Sequence, residues 1–285
     1  MAEITAALVG KLREMTNAGL MDCKKALGES QGDLEGAVDI LRKKGVATAA
    51  KKAGREAKEG VIAQHIQPGA KVGVLVEVNC ETDFVAKNES FRAFCDEVAK
   101  TIANNPSVDL ETMRVTQVSK IGENIRISRH QRLEVQGNGL VAAYIHTGAK
   151  VGVLAEVGAG KEATVNNEEF KQLVRDITLQ IAAANPVAVS REQVDPSLVA
   201  KEKEIAEEQV KNKPPQAIAK IVEGKLEKYF QTYCLVDQGF VKQNGEISVK
   251  EHLAAVGKKL NDEITIRRFL RFQVGETLAS EAAAS

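Results

Sequence analysis

The segment Gly60 to Val78, GVIAQHIQPGAKVGVLVEV, recurs as GLVAAYIHTGAKVGVLAEV from Gly139 to Val157, at a constant offset of 79 residues. The register continues through FRAFCDEVAKTIANNP (Phe91 to Pro106) and FKQLVRDITLQIAAANP (Phe170 to Pro186), with one residue inserted in the second copy. A match of this length implies an internal duplication, so one compact module has to be built twice. In each copy, apolar runs separated by QPGAK or HTGAK read as a β-hairpin. The stripe that follows reads as an amphipathic helix ending before Asn-Pro, because proline disfavours helix in the residue before it. EITIRRFLRFQV (Glu263 to Val274) reads as a further strand completing the second module's sheet. The expected class is α+β.

Helices are expected on both sides of the repeated strands. Residues 4–44 read as three short helices in a small bundle. Thr5 caps the first, whose face carries Ile4, Leu8, Val9 and Leu12. TNAGL is a turn into LMDCKKAL, and Asp33 caps the third helix, expected to stop at Lys43-Lys44-Gly45. Lys43 to Gly60, KKGVATAAKKAGREAKEG, then reads as a solvated, partly helical linker in preference to a nucleic-acid arm, because no aromatics interleave its charges. SLVAKEKEIAEEQV and QAIAKIVEGKLEKYF form a helical hairpin turned by Pro214-Pro215, with Ile218, Ile221, Val222, Leu226 and Tyr229 on one stripe. Such a hairpin either folds back on the body or pairs with another copy. FVKQNGEIS is expected as a loop and VKEHLAAVGKKL as a helix. The expected divisions are 1–54 for the bundle and basic linker, 55–138 for the first module, and 139–185 with 230–274 for the second. The hairpin insertion takes 186–229, and 275–285 is a short C-terminal tail.

Lys and Arg number 39, as do Asp and Glu, so no global field draws the chain to nucleic acid or anionic lipid. With 4% aromatics and no Trp, stacking surface for single strands is scarce, and no direct nucleic-acid partner is expected. No apolar run approaches the ~18 residues of a membrane span. MAEITAALVGKLREM resembles neither a signal peptide nor a transit peptide, so the expectation is a cytoplasmic protein without a membrane partner. Cys23, Cys80, Cys95 and Cys234 are scattered, which argues against a disulfide framework and a zinc site. Neither a metal nor a cofactor is expected.

Catalytic signatures also fail. Gly137-Asn138-Gly139-Leu140-Val141-Ala142 fits G-x-G-x-x-A but opens a strand, so it lacks the phosphate-cradling helix N-terminus. Gly160-Lys161 resembles the end of a P-loop, yet Ala155 and Glu162 replace the first glycine and the magnesium-holding hydroxyl. No H-E-x-x-H occurs, and His65, His130, His146 and His252 lie in different elements. The chain reads as a binding protein, not an enzyme.

The duplication supplies an internal control for the binding element. NCETDFVAKNES of the first copy stands where the second has GAGKEATVNNEE, so Asp83 faces Glu162 and Phe84 faces Ala163. Were Phe84 needed to close the module's core, its twin would carry a large apolar residue. It carries alanine. Phe84 therefore reads as an exposed wedge for a protein partner. An RNA-associated module using the basic linker is the alternative, and steep salt dependence would distinguish it.

The strings LVGKLREMTNAGLMDCKKALGESQGDLEGAVDILRKKG, EVNCETDFVAKN, IGENIRISR, YIHTGAKVGVL and VEGKLEKYF resemble, in order and spacing, the bacterial elongation factor Ts family. The resemblance implies a guanine nucleotide exchange factor for elongation factor Tu, the GTPase that delivers aminoacyl-tRNA to the ribosome. Such a factor binds the GDP-bound GTPase, promotes release of Mg²⁺ and GDP, and stabilises the nucleotide-free state until GTP binds. The fold it implies is an N-terminal three-helix UBA-like domain, a duplicated α+β core module, and a helical hairpin insertion used to form a homodimer. The family's magnesium-dislodging segment maps onto Thr82, Asp83, Phe84 and Val85, and further partner contacts fall on Lys24, His146 and Val241. Gly239 in QGFV stands where the family has proline, and ETLASEAAAS leaves little of its longer C-terminal helix.

Overall fold

The computed structural model describes residues 4–16 and 18–276, with the backbone alone for 215 and 216; the expected tail beyond Glu276 lies outside the described residues. Two three-stranded antiparallel sheets form the centre. One has the order β1 (Glu59–Ile66), β2 (Val72–Cys80), β3 (Arg126–Glu134), and the other β4 (Gly139–Ile145), β5 (Val151–Ala159), β6 (Ile264–Gln273). Val61 pairs with Val78 and Leu140 with Val157, the equivalent positions of the two copies. Both middle strands carry a register shift at equivalent places, Glu77/Val78 and Glu156/Val157. The third strands correspond too, Arg126 pairing with Asn79 and Thr265 with Gly158.

An amphipathic helix covers the outer face of each sheet. In the first module, α5 (Glu89–Asn104) buries Phe91, Cys95, Val98 and Ile102 with Val74, Val76 and Val78. In the second, α8 (Glu168–Ala184) buries Phe170, Leu173, Ile177 and Ile181 with Val153, Ala155 and Val157. Short α4 (Asp83–Lys87) and α7 (Glu162–Val165) bridge the middle strand and its covering helix. The first module then runs through α6 (Glu111–Ile121) into β3. The second runs through α9 (Pro196–Val210), α10 (Pro215–Tyr233) and α11 (Val249–Leu260) into β6, so the hairpin enters between matched elements.

The inner faces of the sheets pack on each other through Ile62, Leu75, Leu133, Val141, Leu154 and Phe272. Glycine sets their approach. A Cβ on Gly73 would lie 2.8 Å from Leu154 Cδ1 and 3.0 Å from Val141 Cγ2. A Cβ on its equivalent, Gly152, would strike Ile62 and lie 3.1 Å from Leu75 Cδ1. Reciprocal hydrogen bonds tie the hairpin tips across the pair: Ile62 N donates to Ala149 O at 2.7 Å, and Val141 N to Ala70 O at 2.9 Å.

The N-terminal helices α1 (Ala6–Thr16), α2 (Leu20–Glu29) and α3 (Leu34–Lys52) close over Leu12, Cys23, Ala26, Leu27 and Ala37. Thr5 and Asp33 accept from Leu8 N and Gly36 N, as caps do. The expected stop of α3 at Gly45 is incorrect, since the helix continues to Lys52. Gly45 is buried against α6, where a Cβ would lie 3.1 Å from Ser119 Oγ and 3.3 Å from Val115 Cγ1. It permits a close helix crossing and does not terminate a helix. Ala49, one turn on, is buried in the first module's core. Much of the supposed basic linker is therefore a packed helix, with Lys44 paired to Asp22 and Lys52 donating to Gly122 O.

In the hairpin, Ala206, Val210 and Val222 pack with Ile218, Ile221 and Leu226, while Tyr229 joins Ala188, Val194 and Cys234 at its base. The apolar stripe is largely consumed within the hairpin. Among the described residues all four cysteines are free and buried, no His, Cys, Asp and Glu cluster could hold a metal, and no helix is long and apolar enough to cross a membrane.

Glycine at the sheet interface gives a direct test. Gly152→Val should lower the free energy of unfolding in denaturant by about 1–3 kcal/mol through overpacking. Gly224→Ala in α10, where a Cβ meets nothing within 4 Å, should instead raise it by roughly 0.5–1 kcal/mol.

Candidate functional site

β2 ends at buried Cys80, and the chain turns into α4 through Glu81 and Thr82. A helix of five residues is too short to persist on propensity alone, so its ends must be held from outside. Thr82 is extended, and its Oγ1 accepts from Val85 N at 3.3 Å as the N-cap. Glu123, in the loop before β3, supplies the second hold. Its Oε2 accepts from Glu81 N at 3.0 Å and Thr82 N at 3.1 Å, and its Oε1 from Thr82 Oγ1 at 2.6 Å. Beneath this turn the Cys80 thiol donates to Thr82 O at 3.2 Å. Burial pushes that thiol up to about 12, so it keeps its proton at neutral pH. At the far end Arg92 Nε donates to Ala86 O at 3.2 Å, and Asn88 caps α5.

Pinned this way, α4 turns Ala86 and part of Val85 into the first module's core and sends Phe84 outward, 80% exposed. Asp83 is beside it, paired with Lys87 Nζ at 2.6 Å. That hydrogen bond holds the Asp83 carboxyl below its ordinary 3.8, so it is an anion at neutral pH. The second copy repeats the scaffold without the aromatic. Ala163 is exposed where Phe84 stands, while Thr164 and Val165 are buried. Asp262 Oδ2 accepts from Lys161 N at 2.9 Å, the counterpart of the Glu123 hold.

His146 and Val241, distant in sequence, line one groove of about 420 Å³ with Tyr144, Val151, Leu179 and Lys242. Tyr144 Oη and His146 Nδ1 are 3.1 Å apart, and Val241 is 40% exposed. The Val241 loop is set by buried Gln180, whose Oε1 accepts from Val241 N at 2.8 Å and whose Nε2 donates to Gly239 O at 3.2 Å. A Cβ at Gly239 would lie 2.9 Å from Gly245 Cα, so the close return of this loop favours glycine there. Beneath it Phe240 is buried and stacks on His252 at 4.2 Å. Burial lowers the His252 pKa and keeps the ring uncharged at neutral pH.

Lys24 is exposed on α2, next to buried Cys23. The seven residues singled out from sequence thus fall on three patches: α2, α4, and the groove between β4 and α8. Glu123 was missed. Its signal lay in the third strands, because Glu123 and Asp262 stand three residues before the equivalent Arg126 and Thr265.

A family model described as Elongation factor TS matches residues 81–276. The elongation factor Ts of Clostridium novyi is 41% identical across 96% of this chain and 94% of its own length. That of Nitratidesulfovibrio vulgaris is 39% identical across 99% of both, and that of Nautilia profundicola 43% identical across 99% of this chain and 96% of its own.

Exposure and capping predict opposite costs for neighbouring substitutions. Phe84→Ala should leave the free energy of unfolding within about 0.5 kcal/mol of wild type. Thr82→Ala, which deletes the cap, should cost roughly 1 kcal/mol or more. Denaturant titration of both variants checks this, and a large loss in Phe84→Ala would mark the ring as structural.

Proposed function

This chain belongs to the elongation factor Ts family, and from that premise we propose that it is the guanine nucleotide exchange factor of elongation factor Tu. The observation that carries the reading is Phe84, a large apolar side chain 80% exposed on a helix pinned at both ends. Such a ring gains free energy only by entering an apolar gap in another molecule.

GDP in a GTPase is held largely by phosphate contacts and by Mg²⁺, which neutralises phosphate charge. The exchange factor need not touch GDP. It has to bind the nucleotide-free conformation better than the GDP-bound one, and linkage then weakens GDP by the same factor. Phe84 inserts beneath the elements that carry the magnesium ligands and repacks them. Thr82 and Val85 hold the turn that presents the ring, and anionic Asp83 disturbs the charge balance around the ion. Lys24 and the His146–Val241 groove supply affinity that does not depend on the nucleotide. No covalent bond is made or broken by this chain, so it acts by binding, in the cytoplasm and without a cofactor of its own. Leu198 and Ile205, exposed on α9, are what the hairpin offers a second copy of the chain in a homodimer.

Stopped-flow release of fluorescent GDP from elongation factor Tu tests the reading. The wild-type chain should accelerate release. Phe84→Ala should lower that stimulation by roughly 10-fold or more, the loss expected of a hot-spot residue worth ~1.4 kcal/mol or above. Stimulation undiminished in Phe84→Ala would remove Phe84 from the mechanism.

A further inference from the structure

We infer that Glu123 is the positioning residue of the Thr82–Val85 segment, and that buried Asn124 beside it ties this segment to the end of the N-terminal helical bundle. The inference rests on the exchange-factor reading and concerns how the wedge is held. One carboxylate, Glu123, takes three hydrogen bonds from two consecutive residues at the start of α4. With the Thr82 cap, those bonds fix the first turn of a helix that cannot fix itself. Rotation of that turn would swing Phe84 directly, because it is the second residue of α4.

The two copies show what has been added in the first. Asp262 occupies the register of Glu123 and holds Lys161 N, so a carboxylate at this place belongs to the common scaffold. The second copy has Gly160 where the first has Glu81. The Glu81 side chain builds an arm with no counterpart at Gly160: its Oε1 accepts from Asn124 N at 2.6 Å, and its carboxylate lies 3.4 Å from Arg55 Nη1. Asn124, only 1% exposed, donates from Nδ2 to Arg55 O at 2.7 Å. Residues just past α3, the residues that start α4, and the loop before β3 are thus joined by one polar network. The network is half-buried around Asn124, and its satisfied hydrogen bonds fix the relative geometry of the three segments. Docking of the bundle through its Lys24 face therefore delivers Phe84 at a set position, with less ordering left to be done on the GTPase.

The test is GDP release from elongation factor Tu over a concentration series of each variant, separating the plateau rate from the half-saturating concentration. Glu123→Gln removes the charge and replaces one of the two accepting oxygens with an NH2 donor, which must face either the Thr82 hydroxyl or the two backbone amides. It should lower the plateau about 10-fold, as expected from losing charge-assisted hydrogen bonds, with the half-saturating concentration unchanged. Backbone amide exchange at Thr82 and Val85 should speed up in the same variant while the global unfolding transition stays in place. Glu123→Asp keeps the carboxylate that Asp262 supplies in the second copy and should recover part of the plateau. In a Phe84→Ala background Glu123→Gln should have little further effect, because both act through one ring. A wild-type plateau in Glu123→Gln, or a loss that adds fully to that of Phe84→Ala, would overturn the inference alone. A wild-type chain that fails to accelerate release would overturn the exchange-factor reading, and this inference with it.

Discussion

Leu75 and Leu154 each seat against a glycine of the opposite sheet, Gly152 and Gly73 respectively, and the rest of the structure depends on that exchange. Because the sheets meet on their inner faces, β2 is buried along its whole length and β5 along all but its first residue. The outer faces are then free to take α5 and α8. Charge reinforces the same junction. Glu77 and Glu156, both nearly or fully buried at the register shifts, pair with Arg129 and Arg268 at 2.7 Å. Those arginines reach across to Gln273 O and Glu134 O in the other copy. A buried carboxylate left without its partner would be costly, so these pairs penalise any other arrangement of the two sheets.

The pairing of two similar modules separates scaffold from function. Features shared by the copies, such as the glycines and the buried glutamates, serve folding, and the shared carboxylate before the third strand holds the turn after the middle strand in both. In the function proposed for this chain, features confined to one copy are the ones that bind. Phe84 against Ala163, Thr82 against Lys161 and Glu81 against Gly160 distinguish the turn after β2 from the turn after β5. The hairpin of α9 and α10 and the loop bearing Val241 are confined to the second copy, which therefore carries a groove instead of a wedge.

Much of this was legible in the sequence because it rests on local pattern. The hairpins, the stripes of α5 and α8, the helix α11, the Asp33 cap and the outward Phe84 follow from periodicity and from the internal alignment. What escaped depends on contacts between distant segments. Gly45 looks like a helix stop until α6 is seen packed on it. RISRHQRLE of β3 has one buried residue, Leu133, and carries Arg126, Arg129, His130 and Arg132 on both faces, so it shows no strand alternation. Val115 and Val118, with polar Gln117 buried beside them, likewise give α6 only a weak stripe. Glu123 is an ordinary loop acid by itself, and its role emerges only when β3 is laid beside β2. His146 and Val241 were named singly from resemblance, and the fold brings them to one surface.

In the proposed mechanism, a ring presented on a pinned turn releases GDP by loosening the partner's magnesium. This step is tested most directly by measuring fluorescent GDP release from elongation factor Tu across free Mg²⁺, with and without this chain. If the mechanism holds, chelating Mg²⁺ mimics part of the stimulation, and the chain accelerates release less once the ion is gone. Reciprocal coupling also requires Mg²⁺ and GDP together to weaken the chain's own hold on the GTPase. Acceleration of equal size at every magnesium concentration would contradict the account and move the mechanism to the base or phosphate pocket.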